Sequence, residues 1–388
     1  MTQNLYDERI QNIIDTANLK EPKKVPVGLN TYGWPFAYAG VKYTDMIDDP
    51  QRAVREYIKF LEVIEIDCYY ITGVSLPVRA LERLGCYYYA FGEDGTYVMN
   101  PQAEDEYCGT WIYDDVIENA EKFYEDTYPK IRLPKLNLPR DEAYKVFTDA
   151  LKDFKKLNDF KTLLSRTYRE KEIACLTSPQ IASHSPLTNI FCGVRGIMNT
   201  LLDLKRIPDK VRASNDATFE YSMKDFNHNP DDFTEPWPWG FSSYHPEGFI
   251  SPKEYDNIYF SYFKKVMEPF MEKGMKCFLL GEGSFINTVE RFRELPKGSM
   301  VIQLDADDAF EVHKKIGDWA TLVCGVKADM LALASKQECI DMVKKYFDVL
   351  APGGGFIFLP NNPLMSIKDA KPENLIAVFE TANELSRQ

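Results

Sequence analysis

The sequence lacks the features that would place the chain in a membrane, on a nucleic acid or in an oxidising compartment. No run approaches the roughly 18 apolar residues of a membrane-spanning helix, and no run of lysine and arginine exceeds two residues. The net charge of -13, from 46 basic and 59 acidic residues, disfavours polyanionic partners, because a phosphate backbone attracts a basic surface. The eight cysteines include no C-x-x-C pair and no zinc-finger spacing, so we expect buried thiols in a reducing cytoplasm.

Motifs of nucleotide binding and of secretion are missing as well. No G-x-G-x-x-G follows the first predicted strand and there is no P-loop, which disfavours the open nucleotide-binding sheets. Residues 1–20 carry charges among their apolar residues and lack the apolar core of a signal peptide. Their apolar spacing instead predicts an amphipathic helix that packs on the rest of the protein.

The sequence does contain a regular alternation of short apolar runs and amphipathic segments. The chain has 388 residues, 45% of them hydrophobic and 27% charged, as is typical of a globular protein. Eight apolar runs predict buried strands that alternate with helices, and this alternation favours a parallel sheet with crossover helices. The predicted strands are 25–29, 67–72, 172–176, 239–243, 277–280, 301–304, 321–324 and 355–359.

This count predicts an α/β fold of the (β/α)₈ TIM-barrel class with long loop insertions. We expect residues 1–24 to form an N-terminal helical extension and residues 25–388 to form the barrel. Residues 85–99 break at Asp94-Gly95 and predict a hairpin.

Two further segments carry turn and loop signals. Residues 212–248 are rich in Asn, Asp, Pro and aromatics and predict a long functional loop around the fourth strand, with Pro208 ending the region before it. The run Gly353-Gly354-Gly355 precedes its strand, so it predicts a helix-to-strand turn rather than a phosphate cradle.

In a barrel of this kind, catalytic groups follow the carboxyl ends of the strands. Glu282 is the most suggestive of them, because a carboxylate between two glycines can approach a ligand or a metal closely. A helix-capping carboxylate is the alternative interpretation. Asp305 and Asp308 present the same choice between a ligand or base and a cap, and Cys324 is either an inert thiol or a metal ligand.

Polar and aromatic side chains near other strand ends complete the predicted site. His184, after the third strand, joins Glu282 and Asp305 as a candidate catalytic residue. The aromatic candidates would line an apolar pocket or form ordinary cover over the barrel mouth. The predicted substrate-binding residues are Asn30, Tyr32, Trp34, Trp239, Tyr244, His245 and Asn361.

Several segments, taken in order from Val25 to the C-terminus, resemble the uroporphyrinogen decarboxylase superfamily. Ser185-Pro186 followed by Arg195-Gly196 is similar to its middle motif. The most specific pieces are Ala351-Pro352-Gly353-Gly354-Gly355-Phe356-Ile357 and Pro372-Glu373-Asn374-Leu375. The superfamily fold is a (β/α)₈ barrel, in agreement with the strand count.

The resemblance implies one of two chemistries. Decarboxylases of the superfamily use an Arg-Gln-Ala-Gly-Arg segment after the first strand, where this chain has Asn30-Thr31-Tyr32-Gly33-Trp34. A porphyrinogen would lack counter-charges for its carboxylates there, which disfavours porphyrinogen decarboxylation. The corrinoid-dependent methyltransferases hold zinc by His-x-Cys and a later Cys, where this chain has Leu280, Glu282 and Gly354. This difference disfavours methylation of thiols.

The remaining resemblance is to a subgroup with a Glu-Gly pair at that place. It implies that a methyl group passes from a small, methoxy-aromatic donor to cob(I)alamin on a partner corrinoid protein. A hard or borderline metal such as zinc, held by Glu282 and Asp305 with Cys324, His184 or His245 as a further ligand, would stabilise the leaving phenolate. The alternative is a protonated Glu282 that acts as a general acid. The alternatives are a decarboxylase of a tetrapyrrole or smaller acid, and a non-catalytic barrel that binds a corrinoid or tetrapyrrole.

Overall fold

The strands follow the predicted apolar runs. The computed structural model describes residues 4–70, 76–92, 97–99, 109–176, 180–182, 185–224, 239–244 and 246–387. Each of the eight predicted runs contains a strand. A further strand pair lies between the second and third runs, and one more strand lies between the third and fourth runs. The strands are β1 (Gly28–Leu29), β2 (Cys68–Tyr69), β3 (Tyr89–Phe91), β4 (Tyr97–Met99), β5 (Ala174–Cys175), β6 (Gln180–Ala182), β7 (Trp239–Tyr244), β8 (Lys276–Gly281), β9 (Met300–Leu304), β10 (Thr321–Cys324) and β11 (Phe356–Phe358).

These strands form two parallel sheets and one hairpin. One sheet has the order β1-β2-β5 and the other has the order β11-β10-β9-β8-β7-β6. A parallel bridge between Val27 and Phe358 joins β11 to the segment that leads into β1. β3 and β4 pair antiparallel, which confirms the hairpin predicted in residues 85–99. The prediction of a parallel α/β fold with crossover helices is therefore confirmed.

Helices occupy most of the segments between the strands, and their buried residues share one large core with one face of the strands. None of the helices in the described part of the chain combines the length and the apolar character that crossing a membrane requires. The α-helices are Leu5–Ala17, Trp34–Tyr38, Tyr43–Met46, Pro50–Tyr57, Val78–Arg83, Trp111–Lys122, Tyr128–Arg132, Arg140–Glu170, Pro186–Asn189, Ile197–Arg206, Pro208–Met223, Pro252–Glu254, Ser261–Glu272, Ala309–Ile316, Ala328–Leu333, Lys336–Leu350 and Pro372–Leu385. Single π-helical turns lie at Phe123–Thr127, Ile190–Val194 and Tyr255–Phe260, and 3₁₀ turns at Ile58–Glu62, Pro134–Asn137, Pro246–Phe249, Val289–Glu294 and Ile367–Asp369.

Alternate residues of the strands enter two separate apolar clusters, because successive side chains of a strand point to opposite faces. In β9, Met300, Ile302 and Leu304 belong to the core shared with the helices, whereas Val301 belongs to a smaller cluster. We call the strand face that forms this smaller cluster the inner face. The buried members of the cluster are Tyr6, Ile13, Ala17, Cys68, Tyr70, Ala174, Leu176, Phe278, Val301, Val323, Ile357 and Leu359.

The N-terminal helix Leu5–Ala17 is fixed to the strands by a buried ion pair as well as by apolar packing. Arg9 is 6% exposed, and its Nε donates to Oδ1 of Asp67 at 3.0 Å. Its Nη1 donates to the carbonyl of Glu172 at 3.0 Å, and Lys24 Nζ lies 2.7 Å from the Asp67 carboxylate. The prediction that this helix packs on the rest of the protein is confirmed, and the domain division at residue 24 stays a prediction.

The structure corrects one predicted boundary and confirms two segments. The helix Ile197–Arg206 ends before Pro208, as predicted. Pro208 then begins a further helix, Pro208–Met223, because the first turn of a helix needs no N–H from that residue. Residues 212–223 are therefore helical and not part of the predicted loop. The fourth strand lies at Trp239–Tyr244, as predicted. The three glycines at 353–355 have φ values of 82°, 85° and 75°, and this left-handed backbone forms the predicted helix-to-strand turn.

Candidate active site

Two carboxylates stand side by side where β8 and β9 end. Gly281 and Leu304 are register partners in these parallel strands, and Glu282 and Asp305 are the residues that follow them. Neighbouring strands lie about 4.8 Å apart, so the two residues are adjacent, and both are half-buried. By strand alternation from Phe278 and Val301, both carboxylates belong to the inner face.

Asp305 accepts a hydrogen bond on each oxygen of its carboxylate. The amide N–H of Gly283 donates to Oδ2 at 3.3 Å, and the side-chain amide of Asn362 donates to Oδ1. Burial raises the pKa of Asp305 above its usual range, and the charge of Glu282 raises that pKa further. The two hydrogen bonds and the charge of Lys327 lower it in part. Asp305 therefore holds a proton to higher pH than an isolated carboxyl group does.

Asn361 connects the carboxyl ends of three strands. Its side chain is 1% exposed, its Oδ1 accepts from the N–H of Gly325 at 2.7 Å, and its Nδ2 donates to the carbonyl of Asp305 at 3.2 Å. Its own carbonyl oxygen accepts from Nε2 of Gln303 at 3.1 Å. Because both ends of the side-chain amide are engaged, Asn361 positions the ends of β9 and β10 next to its own segment.

On the inner face of the described strands and at their ends, two buried amide oxygens have no hydrogen-bond donor, namely Oδ1 of Asn30 and Oε1 of Gln303. Each of these side chains is only 1% exposed. Gln303 lies two residues after Val301 on the same strand and so shares its inner face. Asn30 lies two residues after Gly28 and therefore faces the same side of the strand. That side is the inner face, because a Cβ added to Gly28 would meet the Cys68 thiol of the inner cluster. A buried polar group without a partner costs about 1–3 kcal/mol, so each oxygen marks a place where a bound hydrogen-bond donor gains free energy.

Two tyrosines lie at the same ends of the strands. Leu29 of β1 pairs with Tyr69 of β2, which places Asn30 and Tyr70 side by side after them. Burial raises the pKa of Tyr70 well above its usual range, and Tyr32 and Glu282 raise it further. The Tyr70 hydroxyl therefore stays protonated, and its electrostatic coupling to Glu282 connects the end of β2 with the end of β8.

The structure gives two other sequence candidates structural roles. Trp34 is 0% exposed, and its indole N–H donates to the carbonyl of Ala370 at 2.9 Å. It packs in the large core that the strands share with the helices. Asp308 is the N-cap of the helix Ala309–Ile316, where it accepts from two backbone N–H groups. Of the two aspartates, Asp308 is therefore the helix cap, and Asp305 remains in the site.

Only the backbone placement is described for Trp239 and Tyr244. Trp239 pairs with Lys276 at the amino ends of β7 and β8, and Tyr244 pairs with Gly281 at their carboxyl ends. A strand rises about 3.3 Å per residue, so the backbone of Trp239 lies roughly 16 Å from the end at which Glu282 stands. The backbone of Trp239 is therefore distant from the two carboxylates, whereas the backbone of Tyr244 lies beside them. His184 and His245 lie outside the described residues.

The predicted zinc ligands Glu282, Asp305 and Cys324 do not come together. Cys324 packs in the large core that the strands share with the helices. Its neighbour Val323 belongs to the inner face, and successive side chains of a strand point to opposite faces. The thiol of Cys324 therefore points away from the two carboxylates. Burial also raises the pKa of this thiol, which disfavours the thiolate that zinc requires. Within the described ranges, no three or more His, Cys, Asp or Glu side chains are grouped as metal ligands. Cys324 therefore does not share a site with Glu282 and Asp305, and a metal on the two carboxylates stays a prediction.

The sequence prediction omits two residues that the structure brings to the site, Tyr70 and Gln303. Gln303 had a usable signal, since it is the one polar residue in the otherwise apolar strand Met300–Leu304, and buried polar residues are informative. Tyr70 had none, because it reads as part of the apolar run 67–72.

One of the solved structures similar to this chain is a methyltransferase from Methanosarcina mazei. The two share a TM-score of 0.55 at 14% sequence identity, over 97% of this chain and 98% of that chain. At this identity the similarity shows a shared fold along nearly the whole of both chains. No family model matches the sequence, and no curated protein matches it either.

Proposed function

We propose that this chain is a (β/α)₈-barrel methyltransferase that moves a methyl group from a small donor to cob(I)alamin on a partner corrinoid protein. The strand order supports the barrel, because the Val27–Phe358 bridge joins the two sheets at one edge. At the other edge, β5 and β6 are separated by only four residues of chain. If β5 and β6 occupy one strand position, the strands form a ring of eight positions. Barrel enzymes carry their active sites at the carboxyl ends of the strands in such a ring.

The adjacent Glu282 and Asp305 carry the proposal. The reduced cobalt of the corrinoid, a substrate here, supplies the nucleophile for the methyl carbon. A donor that leaves as an anion must be stabilised as its bond to the methyl group breaks. Asp305, whose pKa is raised above its usual range by burial and by the charge of Glu282, would deliver a proton from its carboxyl oxygen. Glu282 would maintain the raised pKa by its charge, while Tyr70 and Asn30 line the approach. The resemblance to the subgroup with a Glu-Gly pair implies a methoxy-aromatic donor.

The two alternatives have less support. A carboxylate-rich tetrapyrrole would meet the like charges of Glu282 and Asp305 at this site, and the segment Asn30–Trp34 offers no arginine to balance them. The methylation assay distinguishes a non-catalytic binding barrel from a methyltransferase. The cysteine content and the acidic charge favour a cytoplasmic location, with neither nucleic acid nor membrane as a partner.

The test is methylation of cob(I)alamin by the purified chain, with a panel of ethers, amines and thiols as donors. Methylcobalamin, followed by absorbance, is expected with at least one donor. Glu282→Gln should lower the initial rate by roughly 10²-fold, the size expected when acid–base support is lost. The matched variant Glu290→Gln, on an exposed residue of the same segment, should keep the full rate. Absence of methylcobalamin with every donor would overturn the proposal.

A further inference from the structure

We infer that Asp307 is a positioning residue of the candidate active site, and that it acts on the reaction through Glu282. Its buried carboxylate holds residues 283–285, the segment that follows Glu282 directly along the chain. The effect on the reaction rate rests on the proposed function. The holding of the segment does not, and it can be measured on the protein without donor or corrinoid.

Asp307 lies beyond the end of β9, two residues after Asp305, and it is 5% exposed. Both oxygens of its carboxylate accept hydrogen bonds from the segment that follows β8. The Ser284 hydroxyl donates to Oδ1 at 2.5 Å, and the backbone N–H of Phe285 donates to Oδ2 at 2.8 Å. Hydrogen bonds to a carboxylate are roughly twice as strong as those between neutral groups. One carboxylate therefore fixes both a side chain and the backbone of the segment.

The residues around Asp307 are themselves held by the ends of two further strands. Asn361, after β11, donates through Nδ2 to the Asp305 carbonyl at 3.2 Å. Lys327, after β10, donates through Nζ to the Ala306 carbonyl at 2.7 Å. Residues 305–307 are thus bonded one after another to the ends of β11, β10 and β8. Asp307 therefore has a fixed backbone, and its hydrogen bonds transmit that position to the segment after β8.

The same segment also packs closely against the backbone of a neighbouring turn. At Gly248, in the 3₁₀ turn Pro246–Phe249, an added Cβ would lie 2.1 Å from the carbonyl oxygen of Ser284. No Cβ comes this close to a backbone atom, so the turn and the segment leave no room for a side chain between them. Ser284 therefore contacts the Gly248 backbone through its own backbone and the Asp307 carboxylate through its hydroxyl.

The position of Glu282 depends on this segment because a glycine stands on each side of it. Gly281 belongs to β8 and is fixed by the sheet, whereas Gly283 lies outside the strand. The Gly283 N–H donates to the Asp305 carboxylate at 3.3 Å, longer than the usual N–H···O distance of about 2.9 Å. Since glycine also restricts the backbone least, this bond alone would hold Glu282 loosely. The stronger contacts at Asp307 therefore keep the carboxylates of Glu282 and Asp305 side by side.

Loss of this positioning should reduce turnover more than donor binding. A misplacement of about 1 Å in a reacting group can cost roughly 10²-fold in rate. In the proposed reaction, the charge of Glu282 supports proton delivery by Asp305, and that support depends on the distance between the two carboxylates. Because both oxygens of Asp307 are engaged by the segment, we expect Asp307 to act through Glu282 and not on the donor directly.

The rate test compares Asp307→Ala with Asp308→Ala in the methylation of cob(I)alamin, with guaiacol or the donor of the panel that reacts fastest. The two aspartates are matched, since the Asp308 carboxylate also accepts two hydrogen bonds but caps a helix. Asp307→Ala should lower kcat roughly tenfold and change the KM of the donor by less than about threefold. Asp308→Ala should lower the melting temperature, because it removes a helix cap, and leave kcat unchanged.

Double variants separate positioning from a simple loss of stability. If Asp307 acts through Glu282, Asp307→Ala should cost less than about twofold in kcat once Glu282→Gln is present, because coupled residues are not additive. Ser284→Ala removes one of the two hydrogen bonds from an exposed residue. It should lower kcat several-fold and add nothing to Asp307→Ala. Asp307→Asn keeps an acceptor for the Phe285 N–H and should recover part of the rate.

Hydrogen exchange at single-residue resolution tests the holding of the segment without the reaction. The informative amide is that of Gly283, whose hydrogen bond is to Asp305 and not to Asp307. If Asp307 holds the whole segment, Asp307→Ala should speed the exchange of this amide by about tenfold or more. Asp308→Ala should leave it unchanged.

Several results would overturn the inference. Equal kcat values in Asp307→Ala and Asp308→Ala would do so, and so would an undiminished effect of Asp307→Ala when Glu282→Gln is present. Unchanged exchange of the Gly283 amide in Asp307→Ala would show that the segment is held without Asp307. If no donor methylates cob(I)alamin, the proposed function fails, and the Gly283 amide still decides whether Asp307 holds the segment. Thermal melts identify a variant that does not fold, and Ser284→Ala then decides in place of Asp307→Ala.

Discussion

Glu282 and Asp305 occupy adjacent positions on neighbouring parallel strands, one residue beyond the register pair formed by Gly281 and Leu304. Their backbones are held in this arrangement by the hydrogen bond from the Gly283 amide to the Asp305 carboxylate at 3.3 Å. The ionisation of Asp305 therefore depends on the charge of Glu282, as is expected of carboxylates that share a site.

The first prediction concerns the pKa of Asp305. Glu282→Gln removes the neighbouring negative charge that raises this pKa, so we expect the pKa of Asp305 to fall. Carboxyl-carbon NMR titration measures the shift, and Glu290→Gln serves as the control. A pKa of Asp305 that stays the same or rises in Glu282→Gln would show that the two charges do not interact.

The second prediction is a pH dependence of stability. Because the pKa of Asp305 is raised in the folded state, the folded state keeps this proton longer than the unfolded state. The stabilisation is present at low pH and is lost as pH rises through the folded pKa. Glu282→Gln should reduce this loss, since it lowers the folded pKa.

Urea unfolding at a series of pH values checks this expectation. The free energy of unfolding of Glu282→Gln, minus that of the unaltered protein, should become more positive as pH rises above the ordinary aspartate pKa of about 4. The control Glu290→Gln should show a difference that does not change with pH. A constant difference for Glu282→Gln would contradict the prediction.

The third prediction concerns the connecting role of Asn361. Asn361→Leu removes the acceptor for Gly325 and the donor to the Asp305 carbonyl, and it leaves these backbone groups without their partners in a buried position. We expect a loss of about 2–4 kcal/mol in the free energy of unfolding, measured in denaturant. Asn257→Leu, on an exposed asparagine bonded only to its own turn, should change the stability by roughly 0.5 kcal/mol or less.

The fourth prediction concerns the ion pair that fixes the N-terminal helix. Arg9→Met breaks its contacts with Asp67 and Glu172 and leaves Lys24 as the remaining cation against the buried Asp67 carboxylate. The expected cost is about 3 kcal/mol of unfolding free energy. The matched variant Arg166→Met breaks the exposed pair with Glu170 and should cost less than about 1 kcal/mol. Equal losses in the two variants would contradict a buried locking role for Arg9.

The strand positions and the hairpin are readable from the residues because short apolar runs bounded by turn residues have few other uses in a globular chain. The same reasoning found Glu282 and Asp305, since polar residues directly after buried runs of a parallel fold share one edge. The same reasoning placed Cys324 in the site, although its thiol faces the helices, and it omitted Gln303. Both faces of these strands are buried, so their apolar runs are nearly continuous and give no contrast that marks the inner face.

The order of apolar runs along the chain thus determined the parallel α/β architecture and the strand ends at which chemistry is expected. Only the tertiary structure decided which alternate residues face inward, because that phase depends on strand register and on packing against the N-terminal helix. Register turned the thiol of Cys324 toward the helices and placed the backbone of Trp239 at the far end of the sheet. It also brought Gln303 and Asn30 to the inner face that Glu282 and Asp305 occupy.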